Sequence, residues 1–328
     1  MSDDGPNRRQ FVIGAGTAAA GAVAGPGSVD ATEDGEHGSG RVGGDQGRGS
    51  GGEGRRRREE PAVIAHRGFA GRYPENTVEA AVQSARDGAE MVEIDVMACE
   101  GGEIVVFHDD DLSSRDGGER GLTDTDGVVW ETSCETVQAA EVLDSGETVP
   151  LLTEVLNAIP DDYAVNLEFK NPGTGDLKFA ANLSGEELAT QKEVWRPYTD
   201  RVLDIASRYD NDVLVSSFYE AALATVREVD ADVPVAPLLW DSVEDGLAIA
   251  REYDAEAIHP PYNMVQGTPF YADEYYTEGS EWSDTDLLAV AHEEGRAVNV
   301  YTVGTWYQAE RLAAAGVDGI IADYPDLL

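Results

Sequence analysis

Two histidines and three carboxylates between residues 66 and 168 have the types and spacing for acid–base and metal-ion chemistry. His66 stands in Ala65-His66-Arg67-Gly68 and His108 in Phe107-His108-Asp109, each closing a β-branched run beside a charged residue. A lone histidine there can be structural, whereas a pair suits proton transfer near neutral pH. In Glu93-Ile94-Asp95 the two acids are two residues apart. On a strand they share one face, and Ile94 takes the other. Glu168-Phe169-Lys170 places an acid and a cation in the same way. Each acid alone could be a strand-end partner of an Arg or Lys. Together Glu93, Asp95 and Glu168 could converge on one divalent cation, and ligation by oxygen alone suits Mg2+ or Ca2+ better than zinc. Arg67 and Lys170 are placed to meet either the non-bridging oxygens of a phosphate or those same acids. Lys170 is one of only three lysines, with Lys178 and Lys192.

The elements that must position these groups begin at Pro61, where the composition changes abruptly. Strands are expected at Ala62–His66, Met91–Met97, Glu103–Phe107, Tyr163–Phe169, Val213–Ser217, Val233–Leu239, Glu256–His259, Ala297–Val303 and Gly319–Ala322. Helical periodicity falls between them, at Thr77–Asp87, Leu151–Ile159, Glu186–Tyr209, Ala221–Val229, Val243–Tyr253, Asp284–Glu294 and Gln308–Ala315. Repeated strand–helix units over residues 61–328 predict a (β/α)8 TIM barrel, with a doubly wound open sheet as the alternative. The connection through Gly101-Gly102 is too short for a parallel crossover, so Glu103–Phe107 is expected to be an extra, antiparallel arm. A tight turn centred on those glycines would set Glu100 opposite Glu103 and His108 opposite Asp95. Residues 110–149, with a short helical piece near Thr136–Leu143, are expected to form an insertion over the C-terminal mouth, where barrels of this kind carry their sites.

Composition narrows the function classes. The formal net charge is −41, from 64 acidic and 23 basic residues. Such a surface repels nucleic acid. Acidity spread along the chain, with so little lysine, suits solubility in very high salt, which points to an extreme halophile. Cys99 and Cys134 lack metal-binding spacing and are taken as buried free thiols, one disulfide being the alternative. Arg8-Arg9 precedes a small-residue apolar stretch from Phe11 to about Gly25. The stretch falls short of the roughly 20 residues of a membrane span. It resembles a twin-arginine export signal, which would make the twin-arginine translocase a partner and place the protein outside the cell or at its surface. Residues 26–60, rich in Gly, Glu and Arg, are expected to be a disordered linker. The glycine patterns starting at Gly14 and Gly38 fall within the first sixty residues, away from any strand–helix junction, and are discounted. No GxxxxGK[ST] occurs, and His292-Glu293-Glu294 is not HExxH; His292 is expected on a helix surface.

Seven segments in order and spacing carry a resemblance to the glycerophosphodiester phosphodiesterase family. They are His66-Arg67-Gly68, Pro74-Glu75-Asn76-Thr77, Glu93-Ile94-Asp95, His108-Asp109, Glu168-Phe169-Lys170, Ser217-Phe218 and Gly319-Ile320-Ile321-Ala322-Asp323-Tyr324-Pro325. The resemblance implies that His66 and His108 are the catalytic acid and base, and that Glu93, Asp95 and Glu168 hold one divalent cation. It implies hydrolysis of a small glycerophosphodiester to an alcohol and glycerol phosphate. This chain has Thr302-Val303-Gly304 where relatives often have Thr-Val-Asn, and Ala322 where they often have Thr. Those departures bear on substrate specificity. Trp306, just beyond, is a candidate to pack on the substrate's glycerol part, or else a core aromatic. Two other readings stand beside hydrolysis: a phospholipase or lyase acting on intact lipids, and a barrel that binds phosphodiesters without turnover. The first lacks an amphipathic basic helix; the second leaves the acid–base and metal set unexplained.

Overall fold

Val-, Ile- and Ala-rich runs buried on both faces make the wall of a closed parallel barrel. The computed structural model describes residues 60–113, 122–179, 182–273 and 285–328. The expected export signal, and the linker apart from Glu60, lie outside the described residues. The strands are β1 Ala62–Ala65, β2 Met91–Ala98, β3 Ile104–Val106, β4 Ala164–Asn171, β5 Val213–Ser217, β6 Val235–Pro237, β7 Ala257–Ile258, β8 Ala297–Val303 and β9 Gly319–Ala322. The helices are α1 Val78–Arg86, α2 Cys134–Ala139, α3 Leu152–Ala158, α4 Gly185–Ala206, α5 Glu220–Val229, α6 Val243–Glu252, α7 Leu287–Glu293 and α8 Trp306–Ala315. Every expected strand is present, and the expected helices differ from the observed ones only at their ends.

The sheet order is β6-β5-β4-β2-β1-β9-β8-β7, and these eight pair in parallel. Its two ends meet: His259 N donates to Pro237 O and Leu239 N to His259 O, both at 2.9 Å. The barrel is thereby closed, and the open-sheet alternative is excluded. All eight residues of β2 are buried, as expected of a parallel strand covered on both sides. One face contributes Ile64, Met91, Leu214, Ala236, Ala257, Ala297 and Ile321 to an interior cluster. The alternate residues, Val92, Ile94, Val165, Leu167, Val215 and Val300 among them, belong to the large core that includes the helix residues. Short polar caps start several crossovers: Thr77 accepts from Ala80 N at 3.1 Å, and Thr305 from Gln308 N at 3.2 Å.

β3 is the extra antiparallel arm, paired with β2. Its register differs by one residue from the expected one. Glu100, Gly101 and Gly102 all belong to the turn, closed by Gly102 N donating to Cys99 O at 2.8 Å, while Glu100 N is drawn away to Thr132 O at 3.0 Å. Cys99 therefore faces Glu103, and Phe107 N reaches Asp95 O at 3.0 Å. Phe107, not His108, stands opposite Asp95.

The insertion has an apolar core of its own, made of Met97, Val105, Phe107, Leu112, Leu122, Val129, Val137, Val142 and neighbours. Its helix begins earlier than expected, at Cys134, with Ser133 as its cap. Cys99 and Cys134 are not free thiols: they form a disulfide with Cα atoms 5.3 Å apart. Both sit in the insertion core, where the hairpin end meets the start of α2, so folding brings together residues 35 apart in sequence. Closing a loop of that length is expected to stabilise the fold by roughly 3–4 kcal/mol. Chemical denaturation of the Cys99→Ser/Cys134→Ser double variant, against wild type in the same salt, should show a loss of that order; a change below about 1 kcal/mol would contradict it.

Candidate active site

The left-handed turn at the end of β1 does the first positioning. Arg67, Gly68 and Phe69 have φ of 50°, 77° and 67°. A side chain on Gly68 would put its Cβ 2.7 Å from Ala80, so the turn can lie against α1 only with glycine there. This turn aims the Arg67 amide at Glu93 Oε2, 2.8 Å away. It also leaves His66 at the barrel mouth, its Nδ1 2.7 Å from Asp323 Oδ1 just beyond β9. An ionised carboxylate only accepts, so Nδ1 carries the proton and Nε2 is left as the nitrogen free to take one.

Glu93 and Asp95 share the inward face of β2, and Glu168 is the register partner of Asp95 on β4. One oxygen from each of the three lies within 4.8 Å of the others, and all three residues are buried. Points that close share a centre within about 2.8 Å of each, so small side-chain adjustments bring all three to the ligand distances of about 2.0–2.6 Å that Mg2+ and Ca2+ require. Glu93 Oε1 and Asp95 Oδ1 are buried without a hydrogen-bond partner. Buried carboxylate oxygens are normally satisfied, so the donor set fits a divalent cation.

The charges around the triad differ from acid to acid. Burial drives Glu93 well above the usual carboxylate range, and Asp95 and Glu168 push it further. Asp95 is also disfavoured by burial, but His108, Arg67 and Lys170 outweigh this and hold it at about 2. Burial raises Glu168, against the pull of Lys170. Burial alone would lower Lys170, but Glu168 and Asp95 more than reverse this. Lys170 Nζ is 2.7 Å from Glu168 Oε1 and 3.7 Å from Asp95 Oδ1. Arg67 Nη1 is 2.8 Å from Glu75 Oε1, and its Nε is 3.3 Å from Asp95 Oδ2. Both cations are thus held by carboxylates at the site.

His108 acts on Asp95 electrostatically despite the shifted register, and its Nδ1 lies 3.2 Å from Asp109 Oδ2. Trp306 opens α8 and is 61% exposed, so it is not a core aromatic. It lines an open cleft of about 430 Å3 with Arg72, Tyr324 and the C-terminal residues. His259 is fully buried inside the barrel, and His292 is on a helix surface, 2.8 Å from Asp318.

Three residues of the site were not singled out by residue type. Asp323 orients His66. Asn76 donates to Asp95 Oδ2 at 2.8 Å and accepts from Asp95 N at 3.1 Å. Glu75 holds Arg67. The signal was the run Pro74-Glu75-Asn76-Thr77, where a left-handed Asn (φ 58°) precedes a helix cap.

The pKa directions fix how the cation-free protein responds to pH. Glu93 and Glu168 are raised when folded. Their stabilising contribution is present below about 4.5 and is lost as pH rises through the folded values. Asp95 is lowered, so its contribution is present above about 3.8 and lost as pH falls towards 2. In EDTA, the melting temperature of Glu93→Gln should exceed that of wild type, by more at pH about 8 than at pH about 5. A Glu93→Gln protein less stable than wild type at the higher pH would contradict this electrostatic account.

Comparison with known proteins agrees with the barrel fold. Residues 66–327 match the sequence profile of the glycerophosphoryl diester phosphodiesterase family. A glycerophosphodiester phosphodiesterase of Bacillus altitudinis is 25% identical over 272 residues, covering 80% of this chain and 95% of that protein. One from Caldanaerobacter subterraneus subsp. tengcongensis is 26% identical over 274 residues, covering 81% and 95%. In fold, the chain resembles an Oleispira antarctica phosphodiesterase solved with the product sn-glycerol-3-phosphate, at a TM-score of 0.63 and 23% identity over 81% of this chain and 94% of that one. With a closed barrel and the family's sequence pattern spanning nearly all of it, the chain belongs to the glycerophosphoryl diester phosphodiesterase family.

Proposed function

We propose that this chain hydrolyses small glycerophosphodiesters to an alcohol and glycerol phosphate, with one divalent cation, Mg2+ or Ca2+, held by Glu93, Asp95 and Glu168. The buried triad, with oxygens of Glu93 and Asp95 that receive no hydrogen bond, is the observation that carries the reading. A bound cation would offset the clustered negative charge and draw charge from the phosphoryl oxygens. Lys170 and Arg67 face the same phosphate, their N–H groups stabilising the charge that builds as the diester is attacked. His66 and His108 share the proton work: one takes the proton of the attacking hydroxyl, the other protonates the leaving alkoxide. The attacking hydroxyl is that of water, giving glycerol phosphate directly, or of the substrate's own glycerol, giving a cyclic phosphate whose ring a water then opens with the two histidine roles exchanged. Asp323 keeps His66 in the tautomer whose Nε2 faces the substrate. Trp306 contributes an apolar wall for the glycerol part.

Turnover of glycerophosphocholine, glycerophosphoethanolamine and glycerophosphoglycerol in molar salt tests the reading. Release of glycerol phosphate should require Mg2+ or Ca2+ and stop in EDTA. His66→Ala and His108→Ala should each lose roughly 100- to 10,000-fold in kcat. Folded protein with cation that cleaves none of these diesters would favour action on intact lipids or binding without turnover. Near-wild-type rates in both histidine variants would remove the acid–base scheme.

We also propose export by the twin-arginine translocase to the cell surface or medium of an extreme halophile. Arg8-Arg9 before the small-residue stretch and the net charge of −41 support it. Replacing both arginines by lysine should leave the protein in the cytoplasmic fraction; unchanged secretion would argue against this route.

A further inference from the structure

Beside the carboxylates and around the barrel wall, four polar side chains face the barrel interior and have no place in the chemistry above. Asn166 on β4, Ser216 on β5, His259 just past β7 and Asn299 on β8 are 1%, 0%, 0% and 5% exposed. Neither polar atom of Asn166 has a hydrogen-bond partner, nor do Ser216 Oγ, His259 Nδ1 and Asn299 Oδ1. The one bond within the group joins Asn299 Nδ2 to His259 Nε2 at 3.1 Å. With Nε2 accepting from that amide, Nδ1 carries the ring proton and lacks an acceptor. Asn166 is the register partner of Glu93, and Ser216 that of Glu168. Parallel neighbours stand about 4.8 Å apart with side chains on one face, so Asn166 flanks the carboxylate whose Oε1 is unpartnered. Small residues adjoin these groups: Ala236 is the partner of Ser216, and Gly319, the partner of Asn299, leaves the space that the Asn299 side chain itself occupies.

The donor and acceptor pattern identifies the ligand class. Whatever meets Asn166 must donate to its Oδ1 and accept from its Nδ2, and whatever meets the other pair must donate to Asn299 Oδ1 and accept from His259 Nδ1. A metal ion cannot accept a hydrogen bond and a simple anion cannot donate one; water does both. We infer that this layer is a buried water site, and that Asn166 acts through it as a positioning residue for Glu93. The second half of the inference rests on Glu93 being a cation ligand. Buried waters of this kind complete groups the fold cannot satisfy, and residues that orient ligands from behind tune metal affinity.

A high-resolution crystal structure of the full chain should show ordered water within hydrogen-bonding distance of both the Asn166 amide and the Glu93 carboxylate. An empty layer would overturn the water site. Calorimetric titration of Mg2+ and Ca2+ into wild type, Asn166→Leu and Asn166→Ser tests the positioning role. Asn166→Leu should weaken cation binding about tenfold or more, and Asn166→Ser, which leaves room for another water, should restore most of it. A merely structural residue would lower the melting temperature in EDTA and leave cation affinity unchanged, and that result would overturn the role. Should Asn166→Leu not fold, the affinity of Asn166→Ser with its own crystal structure decides: a weakened site with displaced water supports the role, and unchanged affinity without that water overturns it. Wild-type protein that binds neither ion would sink the metal reading and the positioning role with it, while the crystallographic waters still decide the site.

Discussion

Three carboxylates buried within 4.8 Å of one another are the constraint on which the barrel mouth depends. Like charges so placed cannot all ionise in a low-dielectric interior without compensation. The protein answers unevenly. Asp95 sits where Arg67, Lys170, His108 and the Asn76 amide converge, and it stays charged. Glu93 receives one backbone amide and is left protonation-prone. The same arrangement that suits a divalent cation makes the cation-free site unfavourable, so ligand binding and fold stability draw on one set of groups.

The surrounding elements can be understood from that centre. The left-handed turn after β1 exists to bring an amide to Glu93 and a guanidinium to Asp95. The run before α1 braces both from the other side: Glu75 grips Arg67, Asn76 grips Asp95, and Thr77 starts the helix. Asp323, past the last strand, joins the end of the barrel sequence to its first histidine. A site assembled from β1, β2, β4 and the segment after β9 joins both ends of the barrel sequence, so Asp323 reaches His66 only once β9 has paired with β1.

Much of this was legible in the sequence because parallel strands and inward acids leave a two-residue signature. Glu93/Asp95 and Glu168/Lys170 could be placed on a common face from spacing alone, and nine strands with one hairpin led to eight in a barrel. What was not legible depended on local geometry. The hairpin turn took in Glu100 because its amide bonds to Thr132, a contact no spacing rule reveals. The cysteines paired because an irregular insertion folds back onto the hairpin. Asn76 and Asp323 act at sequence distances of 19 and 257 residues from their partners, beyond any periodicity.

The insertion's separate apolar core has a consequence for how such a barrel can diversify. Its buried side chains cluster with one another and with the hairpin, apart from the large barrel core. His108 directly follows Phe107, a member of the insertion's core. Changes in the excursion's length or outer sequence can therefore reshape the surroundings of His108 without disturbing the packing that holds the carboxylates. The scaffold and the entrance are free to follow different evolutionary clocks.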